Sequence, residues 1–276
     1  MIKIMVDSAS DCRSNTELYD YFIPITIHAG DREYRDGLDL DSDTFYDLLT
    51  TSGEFPKTSQ PSPDDFLRIF KEAKENGDEI LYFALSSGLS GTYQSACIAR
   101  EMAEYDGIFI IDTLCPTHMI GIFARHARSL MQQGYTAAQI AAECEALKGK
   151  VKLYAALDTL EYLYKGGRLS KTSATVGGLA GIKPIITITE EGTVGDNGKS
   201  IGMNRAIQTI VTKLDSYTLD ERFPVCSLYT CGTEHVEKLE QKLSAAGHPV
   251  AQRLQVGPTV GAHIGPGACG ILLVAK

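Results

Sequence analysis

Short apolar runs alternate with amphipathic stretches from the first residue onward. Residues 2–6 read as a buried strand, and Asp7-Ser8-Ala9-Ser10-Asp11 stops it with residues that favour turns and helix caps. Residues 23–27 form a second apolar run, after which Tyr34-Arg35-Asp36 leads into an acidic loop and Ser42 caps a helix over 43–49. Lys57-Thr58-Ser59-Gln60-Pro61 reads as a loop, because Pro61 and Pro63 keep their predecessors extended. Asp64-Asp65 then open a helix whose Phe66, Ile69, Phe70 and Ala73 recur at three-and-four spacing. Residues 80–85 are an apolar run of strand length, followed by Ser86-Ser87-Gly88-Leu89-Ser90-Gly91-Thr92 and a helical pattern over 93–102. A strand over 108–111 ending at Asp112, and helices over 120–131 and 137–147, continue the alternation.

This βα order predicts a parallel sheet with helices on both faces and ligands beyond the carboxyl ends of its strands. After Gly149-Lys150 the texture changes. Strands are expected over 151–156, 184–189, 225–229, 250–256 and 271–275, and the short turn Glu190-Glu191-Gly192 predicts antiparallel pairing. The chain therefore reads as two α/β lobes, 1–150 and 151–276, with a ligand cleft between them.

Composition narrows the function. The 276 residues are 43% hydrophobic and 22% charged, as in an ordinary globular protein. A net charge of −9 without a basic cluster argues against nucleic acid as a partner. Seven scattered cysteines, with no Cys-x-x-Cys pair, suggest neither a disulfide framework nor a zinc site, and fit a reducing cytoplasmic setting. No apolar stretch reaches the roughly 20 residues of a membrane span, and Asp7 interrupts the N-terminal run too early for a signal peptide.

The polar strings carry the candidate chemistry. Hydroxyls and glycine amides at strand ends and helix starts can hold a carboxylate or phosphate without a cation. The 86–92 string has more donors than a helix cap and turn require, which points to ligand contact. It is not a nucleophile elbow, since Gly88-Leu89-Ser90-Gly91 closes one residue early. Nor is Gly198-Lys199-Ser200 a phosphate-binding loop, because Thr193 stands where that motif needs glycine. Asp7 and Asp11 read as braces for their loop as readily as ligand contacts, with Ser10 a supporting candidate. His263 lies in a stretch with Gly261, Gly265, Pro266 and Gly267, a rigid, uncluttered loop able to set an imidazole against a ligand. The other histidines show no pairing that suggests a metal. Lys165-Gly166-Gly167-Arg168 reads first as a helix C-cap, and the small and aliphatic residues at 176–182 suit either core packing or a wall against an acyl chain.

Taken together, the strings at 7–11, 57–61, 86–92, 166–168 and 263–267 resemble the DegV family nearly end to end. The resemblance implies a two-lobed fatty-acid-binding fold, with an N-terminal parallel sheet, a second lobe of mixed or antiparallel sheet, and an acyl tunnel between them. It places Thr58 and Ser90 on the carboxylate, with Ser59, Ser86, Ser87, Gly91 and His263 lining the same pocket and Ser10, Arg168 and Gly265 in support. It implies a long-chain ligand such as palmitate, stearate or oleate, no cofactor or metal, no catalysis by the chain itself, and a partner kinase that makes acyl phosphate for phospholipid synthesis. Two departures stand out. The segment after Lys199 reads Ser200-Ile201-Gly202-Met203-Asn204-Arg205, with fewer charges than the family's kinase-docking cluster, and Thr117-His118-Met119 is a local peculiarity expected at the tunnel entrance. Competing readings are a transferase that holds a phosphorylated metabolite in the same cradle, and an adaptor with no ligand.

Overall fold

In the computed structural model, which describes residues 1–169 and 181–276, the first strand's apolar run is buried on both faces from Ile4 onward. In β1 (Ile2–Asp7), Ile4 and Val6 point into one apolar cluster and Met5 into another. That is the pattern of a parallel strand covered on both sides. A single 3-10 turn, Ser8–Ser10, follows.

The expected strand over 23–27 is in fact two. Pro24 lacks an N–H and separates β2 (Tyr21–Ile23) from β3 (Thr26–Ala29), which join different sheets. Strand β4 (Arg32–Arg35) takes up part of the expected acidic loop. Helix α1 (Ser42–Thr51) is capped by Asp41 rather than Ser42, since the Asp41 carboxylate accepts from Thr44 N at 2.8 Å. The expected loop at Thr58 and Ser59 is strand β5 (Lys57–Ser59), recruited by antiparallel pairing with β3 in a small sheet of order β4-β3-β5.

Helix α2 (Pro63–Asn76) starts with a capping box between Ser62 and Asp65. Then come β6 (Glu79–Ala84), α3 (Thr92–Ala103), β7 (Ile108–Asp112), α4 (His118–Gln132) and α5 (Ala137–Leu147). The parallel sheet has the order β2-β1-β6-β7. Helices α2 and α3 bury Phe66, Phe70, Ala96 and Ala99 on one face. Helices α4 and α5 bury Phe123, Ala127, Ile140 and Cys144 on the other.

The rest of the chain comprises β8 (Val151–Ala156), α6 (Glu161–Lys165), β9 (Ile182–Ile188), β10 (Val194–Ile201), α7 (Met203–Leu214), β11 (Cys226–Tyr229), α8 (Glu234–Ala245), β12 (Gln252–Gln255), α9 (Pro258–Ile264) and β13 (Cys269–Val274). Their sheet has the order β10-β9-β8-β13-β11-β12 and is antiparallel except between β11 and β12. The turn at Glu190-Glu191-Gly192 does join an antiparallel pair, β9 and β10. Strand β10, VGDNGKSI, has no apolar alternation for a sequence reading to detect.

Helices α7 and α8 cover one face of this sheet. On the other face, Leu153, Ile186, Leu228 and Leu272 belong to the same apolar cluster as Ile4, Phe83 and Phe123 of the first half. The two sheets thus share one core. Its continuity is interrupted by a cavity.

Candidate functional site

The cavity and its open mouth together span about 850 Å³ of space not occupied by atoms, part of it solvent. Its sheet-side wall is Leu153, Ala155, Ile186, Ile188 and Leu228, and Ile25, Leu85 and Leu89 close it from the first half. Polar groups converge at Thr58, Ser90, Arg168 and His263. Among the described residues, Arg168 is the one lining side chain with a permanent charge, and no carboxylate lines the cavity.

Strand alternation sets Thr58. Its register partner is Ile27, a buried core residue, so Thr58 faces inward while Lys57 and Ser59 face out. The structure therefore takes Ser59 away from the cavity, and its hydroxyl bonds the His28 imidazole on the solvent side.

His263 lies on α9, not on the expected loop. Pro258 at the first helical position favours helix, and Gly265, at φ 74°, ends it. A side chain on Gly265 would run into the Tyr162 ring, so this glycine allows close packing and does not itself line the cavity. His263 Nε2 and Thr58 Oγ1 share a hydrogen bond of 3.0 Å. Burial, and secondarily the Arg168 charge, push the imidazole pKa down to about 4, so it is neutral at physiological pH. Its Nδ1 is buried with no hydrogen-bond partner among the described residues. Gly166 explains the fit: a Cβ there would lie 2.2 Å from Nδ1. The double glycine thus does two jobs. Gly167, at φ 71°, turns the chain out of α6, and Gly166 makes room for the imidazole.

Arg168 ties two loops together, donating from Nε to Leu89 O at 3.0 Å and from Nη1 to Gly166 O at 2.6 Å. Desolvation lowers its pKa without discharging it. Ser90 shares a 2.9 Å hydrogen bond with the Thr92 hydroxyl at the start of α3, and its amide donates to Ser86 O at 3.1 Å.

The other donors of the 86–92 string do not line the cavity. Ser86 Oγ donates to Gly192 O at 2.7 Å, Ser87 is exposed, and a side chain on Gly91 would collide with Gln60. The surplus of small residues therefore serves contacts to the β9–β10 turn and to Gln60. Ser10 is buried and donates to Asp7 O at 2.7 Å. Asp7 braces two loops by accepting from Ala9 N, Tyr82 Oη and Leu85 N, and burial raises its pKa to about 6.

One anchor was not anticipated from sequence. Asp36 accepts from both the amide and the hydroxyl of Thr259, a cavity-lining residue on the first turn of α9. Burial raises the Asp36 pKa to about 7. Of the expected wall at 176–182, residues 176–180 lie outside the described residues, and Ile182 begins β9 without lining the cavity. Lys199, Ser200 and the strongly exposed Ile201 end β10, and Arg205 lies on α7. Among the described residues no cluster of three or more potential metal ligands exists, and no helix is long and apolar enough to cross a membrane.

Comparison with known proteins agrees with this architecture. The family model described as "Uncharacterised protein, DegV family" matches residues 1–276. A DegV domain-containing protein of Caldanaerobacter subterraneus is 32% identical over 280 residues, covering 100% of this chain and 99% of that one. A fatty-acid-binding DegV family protein of Thermus thermophilus superimposes with a TM-score of 0.88 at 29% identity, over 100% of this chain and 99% of its own. The Streptococcus pneumoniae Fatty Acid Kinase (Fak) B3 protein, solved loaded with linoleic acid, gives a TM-score of 0.85 at 25% identity, with 100% of both chains covered.

Proposed function

The chain belongs to the DegV family, and from that premise we propose that its cavity holds one long-chain fatty acid, non-covalently, and that it presents the carboxylate to a partner fatty acid kinase. The observation that carries this reading is the hydrogen-bonded pair Thr58–His263 in the wall of a cavity whose lining is mostly apolar.

The pair suits a carboxylate. With its proton on Nε2, the neutral imidazole donates to Thr58 Oγ1, leaving the Thr58 hydroxyl proton free for a ligand oxygen. Ser90 supplies a second hydroxyl, and the Arg168 charge offsets that of the buried acid. Hydrogen bonds to a charged acceptor contribute roughly 1.5–3 kcal/mol each. The hydrocarbon tail adds about 0.8 kcal/mol per buried methylene, so the head fixes orientation while chain length sets most of the affinity. Palmitate, stearate and oleate are the expected ligands. A phosphorylated metabolite would leave the Leu153, Ile186 and Leu228 wall without a use.

The role proposed for the chain is carriage, with phosphorylation left to the kinase. The name of the streptococcal relative supports such a partner. The sparse charge between Lys199 and Arg205 implies a docking surface different from a basic cluster there. Mass spectrometry of lipid extracted after native purification tests the ligand: one equivalent of a long-chain acid is expected. Absence of lipid, together with no uptake of added palmitate, would remove the reading. For the partnership, palmitate-loaded protein mixed with a bacterial fatty acid kinase and ATP should yield acyl phosphate. Free palmitate alone should not.

A further inference from the structure

Thr58 and His263 stand on two separate pieces of the fold, and Asp36 touches both. Its amide donates to Ile25 O at 3.0 Å, just past the end of the β3–β4 ladder. Two residues on from Ile25, Ile27 is the register partner of Thr58. The Ile25 amide in turn donates to Ser8 Oγ at 3.0 Å, so this frame is also held at the 3-10 turn. The Asp36 side chain reaches out of the frame to α9, where Oδ2 alone accepts from the Thr259 amide at 3.2 Å and from the Thr259 hydroxyl. That hydroxyl also lies 3.3 Å from Ser8 Oγ.

Thr259 and His263 are one helical turn apart on α9, so they share a face and are separated by about 6 Å along the axis. Both line the cavity. The opposite side of α9 is pressed onto α1, since a Cβ on Gly261 would lie 2.5 Å from Tyr46 Oη and 2.9 Å from the Phe45 ring. With one side packed flush and the other bonded at its first turn, this short helix is fixed in both rotation and height. Burying a carboxyl whose partners are an amide and hydroxyls, with no cation among them, costs free energy that an apolar residue would not. Sequences break such local rules chiefly at functional positions.

We propose that Asp36 is a positioning residue of the head-group site: by bonding the first turn of α9 to the frame that carries Thr58, it sets the Thr58–His263 contact, and with it the discrimination between a fatty acid and an uncharged amphiphile of equal length. The inference rests on the fatty-acid reading above and deepens it. Asp36 does not line the cavity, so it acts through Thr259 and His263 and not on the ligand.

The test compares palmitate with hexadecanol, each displacing a fluorescent fatty acid, and follows the ring-nitrogen NMR resonances of His263 in ligand-free protein. Asp36→Ala should weaken palmitate about tenfold, the scale of one hydrogen bond to a charged group, and hexadecanol far less. Asp36→Asn should recover palmitate affinity, because its amide oxygen can accept both Thr259 bonds. On a His263→Ala background, Asp36→Ala should cost palmitate nothing further. Equal losses for the two ligands, or an undiminished loss without His263, overturn the proposal and make Asp36 a packing residue only. If Asp36→Ala does not fold, Thr259→Val decides: the same palmitate-specific loss, again absent without His263, is expected, and an unchanged palmitate-to-hexadecanol ratio overturns the proposal. The Nε2 resonance should move in Asp36→Ala or Thr259→Val and return in Asp36→Asn. This separates the two levels. If the resonance moves but the unaltered protein takes up no palmitate, the fatty-acid reading fails first. If palmitate binds and the resonance stays put, the positioning role alone fails.

Discussion

Thr58 and His263, 205 residues apart in sequence, meet at 3.0 Å in the cavity wall. One comes from an edge strand of the small sheet and the other from the last helix, so neither half of the chain completes the site alone. The pair also fixes what each partner can offer. A neutral imidazole that donates to Thr58 leaves a single directed hydroxyl proton for the ligand.

Removing that hydroxyl should therefore cost head-group affinity specifically. Thr58→Ala and Ser90→Ala are each expected to weaken palmitate binding by about 1.5–3 kcal/mol, roughly tenfold to a hundredfold. Binding of hexadecanol, which lacks the charge, should change far less. Titration calorimetry with both ligands checks this, and equal losses for the two would mean the residues act through packing.

Gly166 lies against His263 for reasons of space, since its own φ is −76°. Gly166→Ala should push the imidazole off Thr58 and reduce palmitate affinity about tenfold, the scale of one hydrogen bond to a charged group. On a His263→Ala background the same change should do little, because the clash is gone. A double-mutant cycle reads this coupling directly.

Asp36 makes stability depend on pH. Its pKa is raised to about 7 by burial, above the unfolded value near 3.8. The native state therefore holds the proton more tightly than the unfolded chain does. That contribution is fully present below the unfolded value and is lost as pH rises through about 7. Asp36→Asn keeps an acceptor for Thr259 but cannot ionise. Relative to the unaltered protein, it should gain melting temperature in going from mildly acidic to mildly alkaline buffer, as scanning calorimetry across that range would report.

Chain length gives the simplest trend. Each two-carbon extension that still fits the cavity should tighten binding by about 1.6 kcal/mol, roughly fifteenfold. A series of saturated acids should show this slope and then a plateau where the cavity is full. A flat series would mean the tail is not buried.

The first half of the fold was legible because β1 and β6 are buried on both faces, and continuous apolar runs with helical patterns between them admit few arrangements. The loops at strand ends were legible for the same reason. Which donors in those loops face the cavity was not. Ser86 and Gly91 look like ligand contacts in a local reading, yet the partner of Ser86 is the Gly192 carbonyl, 106 residues on, and Gly91 accommodates Gln60. Ser59 sits beside Thr58 but on the opposite face, a distinction that required knowing the segment is a strand. The Asp36–Thr259 anchor, 223 residues apart, has no local signature. Strand β10 escaped because its residues are mostly polar and its pairing is interrupted between Asp196 and Lys199.

Because the largest apolar cluster draws on both sheets and surrounds the cavity, whatever fills that space completes the protein's own interior. If the proposed fatty acid fills it, delipidated protein melts earlier than loaded protein, and by more as the bound chain lengthens. On the proposed reading, ligand and scaffold are thermodynamically one object, and surrendering an acid would mean loosening the junction that holds the two halves together.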